Sequence, residues 1–248
     1  MFKLSTKQMT YSALLIVLSI IFSRFISINT PIFNIELGGV PIVAGGILFG
    51  PVVGGLIGFL SDLIGHLIRP FGAYHPGFAL NETLTGVIPG LLFLIYKQGR
   101  KKLDDGIPNR SELPLITLIL IGLAIGGSYY FYNVKKIGDI ILDINANISL
   151  VILVNLSVLI TLIVIYILRY RYPNKKTIYT IDRLILGLLL VEIMVFIPLT
   201  PLWLKLTFEV PYVSGVIVRV ARVALILPIK AIFLYVLLRS YDNKIKLI

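Results

Sequence analysis

The feature that most constrains the fold is a series of apolar stretches, each about as long as a bilayer is thick. A helix needs about 20 mostly apolar residues to cross the hydrocarbon core. Such stretches recur along the whole chain, and only 14% of its 248 residues are charged, against about 25% in soluble domains. We therefore predict an all-α, multi-pass protein of the cell membrane. A soluble enzyme, a disordered tail and a nucleic-acid-binding domain with a wetted surface are excluded.

Eight helices are predicted, with a break at Gly50-Pro51. Proline ends the preceding helix and suits the first turn of the next one. The alternative is one long, kinked helix through this region. The predicted helices are Gln8–Ile28, Gly38–Leu48, Pro51–Ile68, Phe78–Tyr96, Leu113–Phe131, Ile148–Leu168, Arg183–Leu204 and Val213–Leu238.

The positive charge of the chain predicts its orientation. The formal net charge is +11. With an even number of crossings, most lysines and arginines fall on the side of the amino terminus, which the positive-inside rule makes cytoplasmic. Both termini are therefore predicted to be cytoplasmic, and no nucleic-acid partner is needed to explain the charge. The chain has no cysteine and two histidines, so no metal site and no cofactor are predicted.

Two stripes of small residues mark faces of the early helices. They consist of Gly50, Gly54 and Gly58 on the third helix and of Ser12, Ser19 and Ser23 on the first. Residues at these spacings share a helix face, and small residues let neighbouring backbones approach closely. Two interpretations stay open: tight packing inside the protein, or a smooth surface that docks against a partner.

Ionisable side chains inside a membrane are costly and call for partners. Glu192 and Lys230 lie at similar depths in consecutive antiparallel helices, each about 13 Å from the inner surface at about 1.5 Å per residue. We predict that they form an ion pair, and a separation well beyond about 6 Å would refute it. The alternative is that Lys230 extends towards the inner surface.

Four arginines are predicted to lie near the outer side: Arg24, Arg69, Arg219 and Arg222. Interfacial anchoring explains Arg24 and Arg69. It explains Arg219 and Arg222 poorly, because they lie deeper in their helix. Arginine matches carboxylates with paired hydrogen bonds, so an anionic ligand is the second interpretation.

The loop Arg69–Phe78 is rich in proline, glycine and aromatic residues, which makes it stiff and shaped. It leads into Asn81 near the outer end of the fourth helix. Trp203, the single tryptophan, lies at the outer end of the seventh. An aromatic belt at the membrane surface is one interpretation. A pocket that stacks a flat ring, using Phe71, Tyr74, His75, Asn81 and Trp203, is the other.

Several motifs resemble the folate-type S components of energy-coupling factor (ECF) vitamin transporters. The first part of the chain carries Ser-Arg-Phe, Gly-Gly-Val-Pro-Ile, Phe-Gly-Pro, Asp62 and Gly-Ala-Tyr-His-Pro-Gly-Phe. The last part carries Asp182, Thr-Pro-Leu-Trp, Arg219 and Pro-Ile at position 228. The resemblance covers roughly residues 8–98 and 181–240.

The resemblance implies a six-helix subunit that captures a vitamin, with folate favoured, from outside the cell. Such a subunit docks on a transmembrane coupling protein with two ATPases. ATP hydrolysis then belongs to those partners, so no catalytic residue is expected in this chain. The glutamyl carboxylates of folate would meet one of the four arginines, and its pterin would stack near Phe71, Tyr74 or Trp203. The glycine and serine stripes would suit the docking.

Residues 99–180 have no counterpart in that six-helix core. We predict that they form an inserted transmembrane hairpin with basic cytoplasmic flanks. Residues 1–98 then form core helices 1–4 and residues 181–248 core helices 5–6, within one domain.

Three other functions stay open. The chain could be an S component for another vitamin or precursor. It could be a membrane enzyme acting on lipid, since Asp62 and His66 are four residues apart on one helix face. It could also be a membrane scaffold. Binding of a water-soluble vitamin separates the transporter from the last two.

Overall fold

The computed structural model describes residues 5–29, 34–70, 74–102, 112–133, 136–137, 140–141, 144–171 and 180–245. Within these ranges the chain forms eight helices. They are α1 (Thr6–Phe25), α2 (Gly39–Phe49), α3 (Pro51–Ile68), α4 (Pro76–Lys102), α5 (Leu113–Asn133), α6 (Ile144–Arg171), α7 (Ile181–Phe208) and α8 (Tyr212–Ile245). Two antiparallel pairs of two-residue strands complete the described structure: β1 (Ile28–Asn29) with β2 (Asn34–Ile35), and β3 (Lys136–Ile137) with β4 (Ile140–Ile141).

Four of these helices are long and apolar enough to cross a membrane. The qualifying spans are Thr6–Phe25, Pro51–Ile68, Pro76–Gln98 and Ile181–Phe208. The prediction of a helical, multi-pass membrane protein is confirmed at this level. Helix α2 has 11 residues and is about 16 Å long at about 1.5 Å per residue, roughly half the hydrocarbon thickness. The six-plus-two arrangement and the cytoplasmic termini therefore stay predictions.

The predicted break between α2 and α3 is present. Helix α2 ends at Phe49, and α3 starts at Pro51, which occupies the first turn. Gly50 between them has a φ of 94°, a conformation that glycine adopts without steric cost. One kinked helix through this region is therefore excluded.

The chain divides into two compact units. The first comprises Met1–Pro108 and Ile232–Ile248, and the second comprises Asn109–Ala231. The hairpin α5–α6 thus shares a unit with α7 and most of α8, whereas the sequence grouped it as a separate insertion between residues 99 and 180. Whether this hairpin is an insertion into a six-helix core stays a prediction.

Glycines bring the helices of the first unit into backbone contact. A Cβ on Gly58 would overlap the carbonyl of Glu82 in α4, and one on Gly86 would overlap the carbonyl of Gly54 in α3. Small residues at such contacts allow van der Waals packing that larger side chains would prevent. The backbones of α2, α3 and α4 are consequently in direct van der Waals contact.

In the second unit, an ion pair joins two helix ends. Arg169 near the end of α6 pairs with Asp182 at the start of α7, with 2.5 Å between Nη1 and Oδ2. Asp182 is almost fully buried. Farther along, α7 contains a π-helical segment at Glu192–Phe196 followed by a turn at Ile197-Pro198. This segment carries the charged residues described next.

Candidate functional site

A buried ion pair joins α7 to α8 in the second unit. Lys230 Nζ lies 2.7 Å from Glu192 Oε1, and the two side chains are 6% and 4% exposed. The pair that the sequence predicts is thus present and well within the separation allowed for it. Lys230 points to Glu192 and does not extend towards a membrane surface.

The π-helical segment of α7 begins at Glu192 and ends at Phe196. The amide of Ile197 donates to the carbonyl of Glu192 over 2.8 Å, which closes a wide turn. Pro198 follows and has no amide hydrogen with which to continue the ladder. Such segments occur frequently at functional sites. Sequence analysis missed this one, although Pro198 was a signal that the regular helix ends here.

Two cationic side chains lie against the ring of Phe196. Arg222 Cζ lies 5.6 Å and Lys230 Nζ 5.3 Å from the ring centroid. The face of an aromatic ring attracts cations electrostatically, most strongly where water is excluded. Phe196 was not among the predicted residues, yet it lies four positions after Glu192, a spacing that places both on one side of a helix.

The cluster formed by Glu192, Phe196, Arg219, Arg222 and Lys230 is called the α7–α8 charge cluster below. It contains three cations and one carboxylate, and the charges of Arg222 and Arg219 are near enough to Glu192 to interact with it electrostatically. Arg219 Nη1 also donates to the carbonyl of Gly215 over 3.5 Å. Positive charge is therefore in excess within this buried part of the protein.

Arg222 Nη2 and Glu192 Oε2 are among the atoms of the α7–α8 charge cluster that are buried without a hydrogen-bond partner in the part of the chain that the structure describes. Arg222 is 7% exposed and Glu192 3%. Buried polar atoms are normally hydrogen-bonded, and leaving one unpaired costs free energy. This part of the cluster is therefore suited to a ligand with one acceptor and one donor.

A second group of arginines lies in the first unit. Arg24 Nη2 pairs with Asp62 Oδ1 over 3.2 Å, and Arg24 Nη1 donates to the carbonyl of Arg69 over 3.4 Å. Arg69 Nη1 donates to the carbonyl of Arg24 over 2.7 Å. A Cβ on Gly65 would lie 3.0 Å from Arg24 Nε, so glycine leaves room for this side chain. The charge of Arg24 is thus matched inside the unit, a contact that sequence analysis did not predict.

The aromatic loop after α3 is partly described. Phe71 lies outside the described residues. The ring of Tyr74 lies 5.0 Å from that of His66 between centroids, and the ring of His75 lies 6.1 Å from that of Phe78. His75 Nδ1 accepts from the amide of Gly77 over 3.1 Å. His66 thus contacts an aromatic ring, which weakens the argument for a catalytic pair with Asp62.

The predicted substrate-binding residues are divided between the two units. Arg24, Arg69, Tyr74, His75 and Asn81 belong to the first, and Trp203, Arg219 and Arg222 belong to the second. Asn81 is 2% exposed, so its side chain lies inside the protein, whereas Trp203 is half-buried. Of these residues, Arg219 and Arg222 are brought together with Glu192 and Lys230.

Much of the two small-residue stripes is used for packing inside the first unit. Ser19 Oγ donates to the carbonyl of Gly38 over 2.9 Å, and Ser23 Cβ lies 2.6 Å from where a Cβ on Gly38 would stand. Gly54 and Gly58 are buried against α2 and α4. Ser19, Ser23, Gly54 and Gly58 therefore take part in packing inside the first unit, and their role in docking stays a prediction.

The two remaining stripe positions differ. Ser12 Oγ is buried and has no hydrogen bond within the described residues. Gly50 has open space where a Cβ would stand. In the described part of the chain, no three His, Asp or Glu residues are grouped closely enough to hold a metal ion.

The matching family model and one curated relative are both transporter proteins. Residues 3–172 match the family model described as ECF-type riboflavin transporter, S component. The chain is 43% identical over 117 residues to the folate transporter FolT of Clostridium novyi, covering 47% of this chain and 68% of the relative. It is 30% identical over 140 residues to a UPF0397 protein of Lactobacillus acidophilus, covering 56% of this chain and 71% of that relative.

The fold is similar to that of a solved structure. A crystal structure of FolT bound with folic acid superposes with a TM-score of 0.53 over 93% of each chain, at 23% sequence identity.

Proposed function

Because this chain belongs to the family of S components of ECF-type transporters, we propose that it captures folate outside the cell and delivers it to an ATP-driven import complex. As a member of this family it is a transport subunit of the cell membrane and not an enzyme. Folate, the coupling protein and the two ATPases are the parts of the function that are proposed.

The observation that carries folate as the ligand is the excess of buried positive charge around Arg222. Arginine stays protonated in proteins, and an unpaired charge inside a membrane is costly. Folate ends in a glutamate with two carboxylates, whereas riboflavin is uncharged. Only the first of these vitamins supplies an anion to Arg222 Nη2, which is buried without a partner among the described residues. The relative at 43% identity, a folate transporter, supports the same choice.

Riboflavin is the second candidate, because the matching family model carries that vitamin in its description. It has a flat, three-ring system and a polar chain, which aromatic residues and neutral hydrogen bonds would hold. The α7–α8 charge cluster then has no counter-charge from the ligand. The two vitamins can therefore be separated by one binding measurement.

The proposed docking involves the first unit and follows from the family. An apolar surface faces outwards there: Leu14 and Val17 on α1 and Val52 and Leu56 on α3 are each about half exposed. Ser12 belongs to α1, and Gly50 directly precedes α3. Complementary apolar helices of a coupling protein would cover such a surface within the membrane.

The function is tested by fluorescence quenching of Trp203, the single tryptophan, in the purified protein. Saturable quenching by folate, and weaker or absent quenching by riboflavin, is the expected result. Trp203→Phe serves as the control, because it removes the signal source while an independent calorimetric titration still detects folate binding. Saturable quenching by riboflavin alone would replace the ligand and keep the family. A folded protein that binds neither vitamin by either method would refute both candidates.

A further inference from the structure

We propose that Arg222 and Glu192 form a two-point subsite for the amino-acid end of the ligand. Arg222 Nη2 donates to a carboxylate of that end, and Glu192 Oε2 accepts the amide N–H that joins it to the aromatic part. This assignment rests on the proposed function, since it specifies how the same vitamin is held.

Arg222 is selected among the four candidate arginines by its contacts. Arg24 pairs with Asp62, Arg69 donates to the carbonyl of Arg24, and Arg219 donates to the carbonyl of Gly215. Arg222 has an aromatic ring beside it, at 5.6 Å, and its Nη2 is buried without a hydrogen-bond partner among the described residues. Its guanidinium is therefore the most available for a carboxylate.

Glu192 supplies the second point because its two oxygens differ. Oε1 accepts from Lys230 over 2.7 Å, whereas Oε2 is buried without a partner within the described ranges. An ionised carboxylate accepts hydrogen bonds and donates none. Oε2 thus requires an N–H or O–H group, and Lys230 acts as the positioning residue that holds the carboxylate in place.

An amide-linked glutamate presents both complementary groups on one carbon atom. Its α-carboxylate and its amide N–H are neighbours, so one end of the ligand supplies an acceptor for Arg222 and a donor for Glu192. A carboxylate alone would leave Glu192 Oε2 unsatisfied, and an uncharged ring edge would leave the charge of Arg222 uncompensated. This end therefore matches the subsite better than the flat ring of the vitamin does.

The subsite is buried, which raises the effect of each hydrogen bond on affinity. Arg222, Glu192 and Phe196 are all less than 10% exposed, and charge-assisted hydrogen bonds are stronger than neutral ones. From the usual contribution of such bonds, losing the carboxylate contact should weaken binding about 10- to 100-fold.

The test compares two ligands on two proteins. Folate carries the glutamate, and pteroate is the same molecule without it. Their dissociation constants are measured by calorimetry on the wild-type protein and on Arg222→Gln. We expect the wild type to bind folate about 10- to 100-fold more tightly than pteroate. The Arg222→Gln protein should lose most of this preference while its affinity for pteroate stays within about threefold of wild type.

A matched control is Arg239→Gln, on the same helix and exposed at the protein surface. It should keep the full preference for folate. Glu192→Gln is the second variant, because it retains the side-chain volume. It should reduce the preference less than Arg222→Gln does, because an amide oxygen still accepts the N–H.

Three results would overturn the inference. The first is equal affinity of the wild type for folate and pteroate, a measurement that does not depend on any variant folding. The second is an equal loss of both affinities in Arg222→Gln, which would give the residue a structural role. The third is an unchanged preference in Arg222→Gln. Failure of the proposed function is distinguishable from all three, since neither folate nor pteroate would then bind the wild-type protein.

Discussion

Buried charged side chains are paired differently in the two units. In the first unit, Arg24 is matched by Asp62 and by the carbonyl of Arg69, and α3 contacts α4 through backbones. In the second unit, the α7–α8 charge cluster has three cations for one carboxylate, and its buried atoms Arg222 Nη2 and Glu192 Oε2 have no hydrogen-bond partner in the described structure. In the first unit the charge of Arg24 has its counter-charge in Asp62. In the second unit positive charge is in excess, and this excess is the reason why a ligand site is proposed there.

The largest expected effect is the loss of unfolding free energy when the Glu192–Lys230 ion pair is broken. Lys230→Ala would leave the Glu192 carboxylate buried without its 2.7 Å partner. Removing one member of a buried pair typically costs about 3–5 kcal/mol. We expect a loss of this size in the free energy of unfolding, measured by chemical denaturation of the purified protein.

The matched control for this change is Lys205→Ala, which removes an exposed lysine of α7. Its effect should stay within about 0.5 kcal/mol. Equal stability of the two variants would show that Glu192 and Lys230 do not depend on each other.

The next effect tests the close packing of the first unit. Gly58→Ala would place a methyl group on the carbonyl of Glu82, and backbone cannot move aside as a side chain can. Overpacking of this kind costs about 1–3 kcal/mol. The measurement is the thermal unfolding midpoint.

Gly122→Ala in α5 is its control, because open space surrounds that position. Alanine favours helix over glycine by about 1 kcal/mol, so this variant should be as stable as wild type or more stable. A Gly58→Ala protein with an unchanged midpoint would contradict the packing described for α3 and α4.

A smaller effect is expected from the ion pair of the first unit. Asp62→Asn removes the charge that faces Arg24 but keeps an oxygen that accepts a hydrogen bond. Both side chains are partly accessible, at 11% and 12%, and Arg24 keeps its bond to the carbonyl of Arg69. We expect a loss of about 1 kcal/mol in unfolding free energy. A loss as large as that of Lys230→Ala would remove the contrast between the units.

The smallest effect concerns Arg222 without ligand. Arg222→Gln replaces a buried charge that has no ion-pair partner among the described residues, so stability should change by less than about 1 kcal/mol and in either direction. Folate should raise the unfolding midpoint of wild type, because a ligand that binds only the folded state stabilises it. The same folate concentration should raise that of Arg222→Gln much less. Arg239→Gln should respond as wild type does.

The helices could be predicted from the sequence because their lengths, and the glycine and proline residues at their ends, are local properties of the sequence. The predicted Pro51–Ile68 agrees with α3 at both ends, and the break at Gly50 follows from the conformation that glycine allows and the amide that proline lacks. The Glu192–Lys230 pair was also predictable, since residue counts along two consecutive helices give their depths. These inferences needed no knowledge of how helices rotate against each other.

Other contacts depend on that rotation and could not be predicted. The pair of Arg24 with Asp62 joins α1 to α3 and requires the space beside Gly65. The periodicity of Gly54 and Gly58 identified one face but not its neighbour, so packing and docking stayed open. Phe196 was missed because its contacts with Arg222 and Lys230 depend on which side of α7 meets α8.

The π-helical segment also rotates the side chains that follow it around the axis of α7. A regular helix turns by about 100° per residue, and a π-helical segment accommodates one additional residue within its turn. A helical wheel drawn through all of Ile181–Phe208 would therefore assign Trp203 to a face about 100° away from its own. Deleting a single residue between Glu192 and Phe196 would remove this offset and re-aim the final turns of the helix without altering any side chain in them.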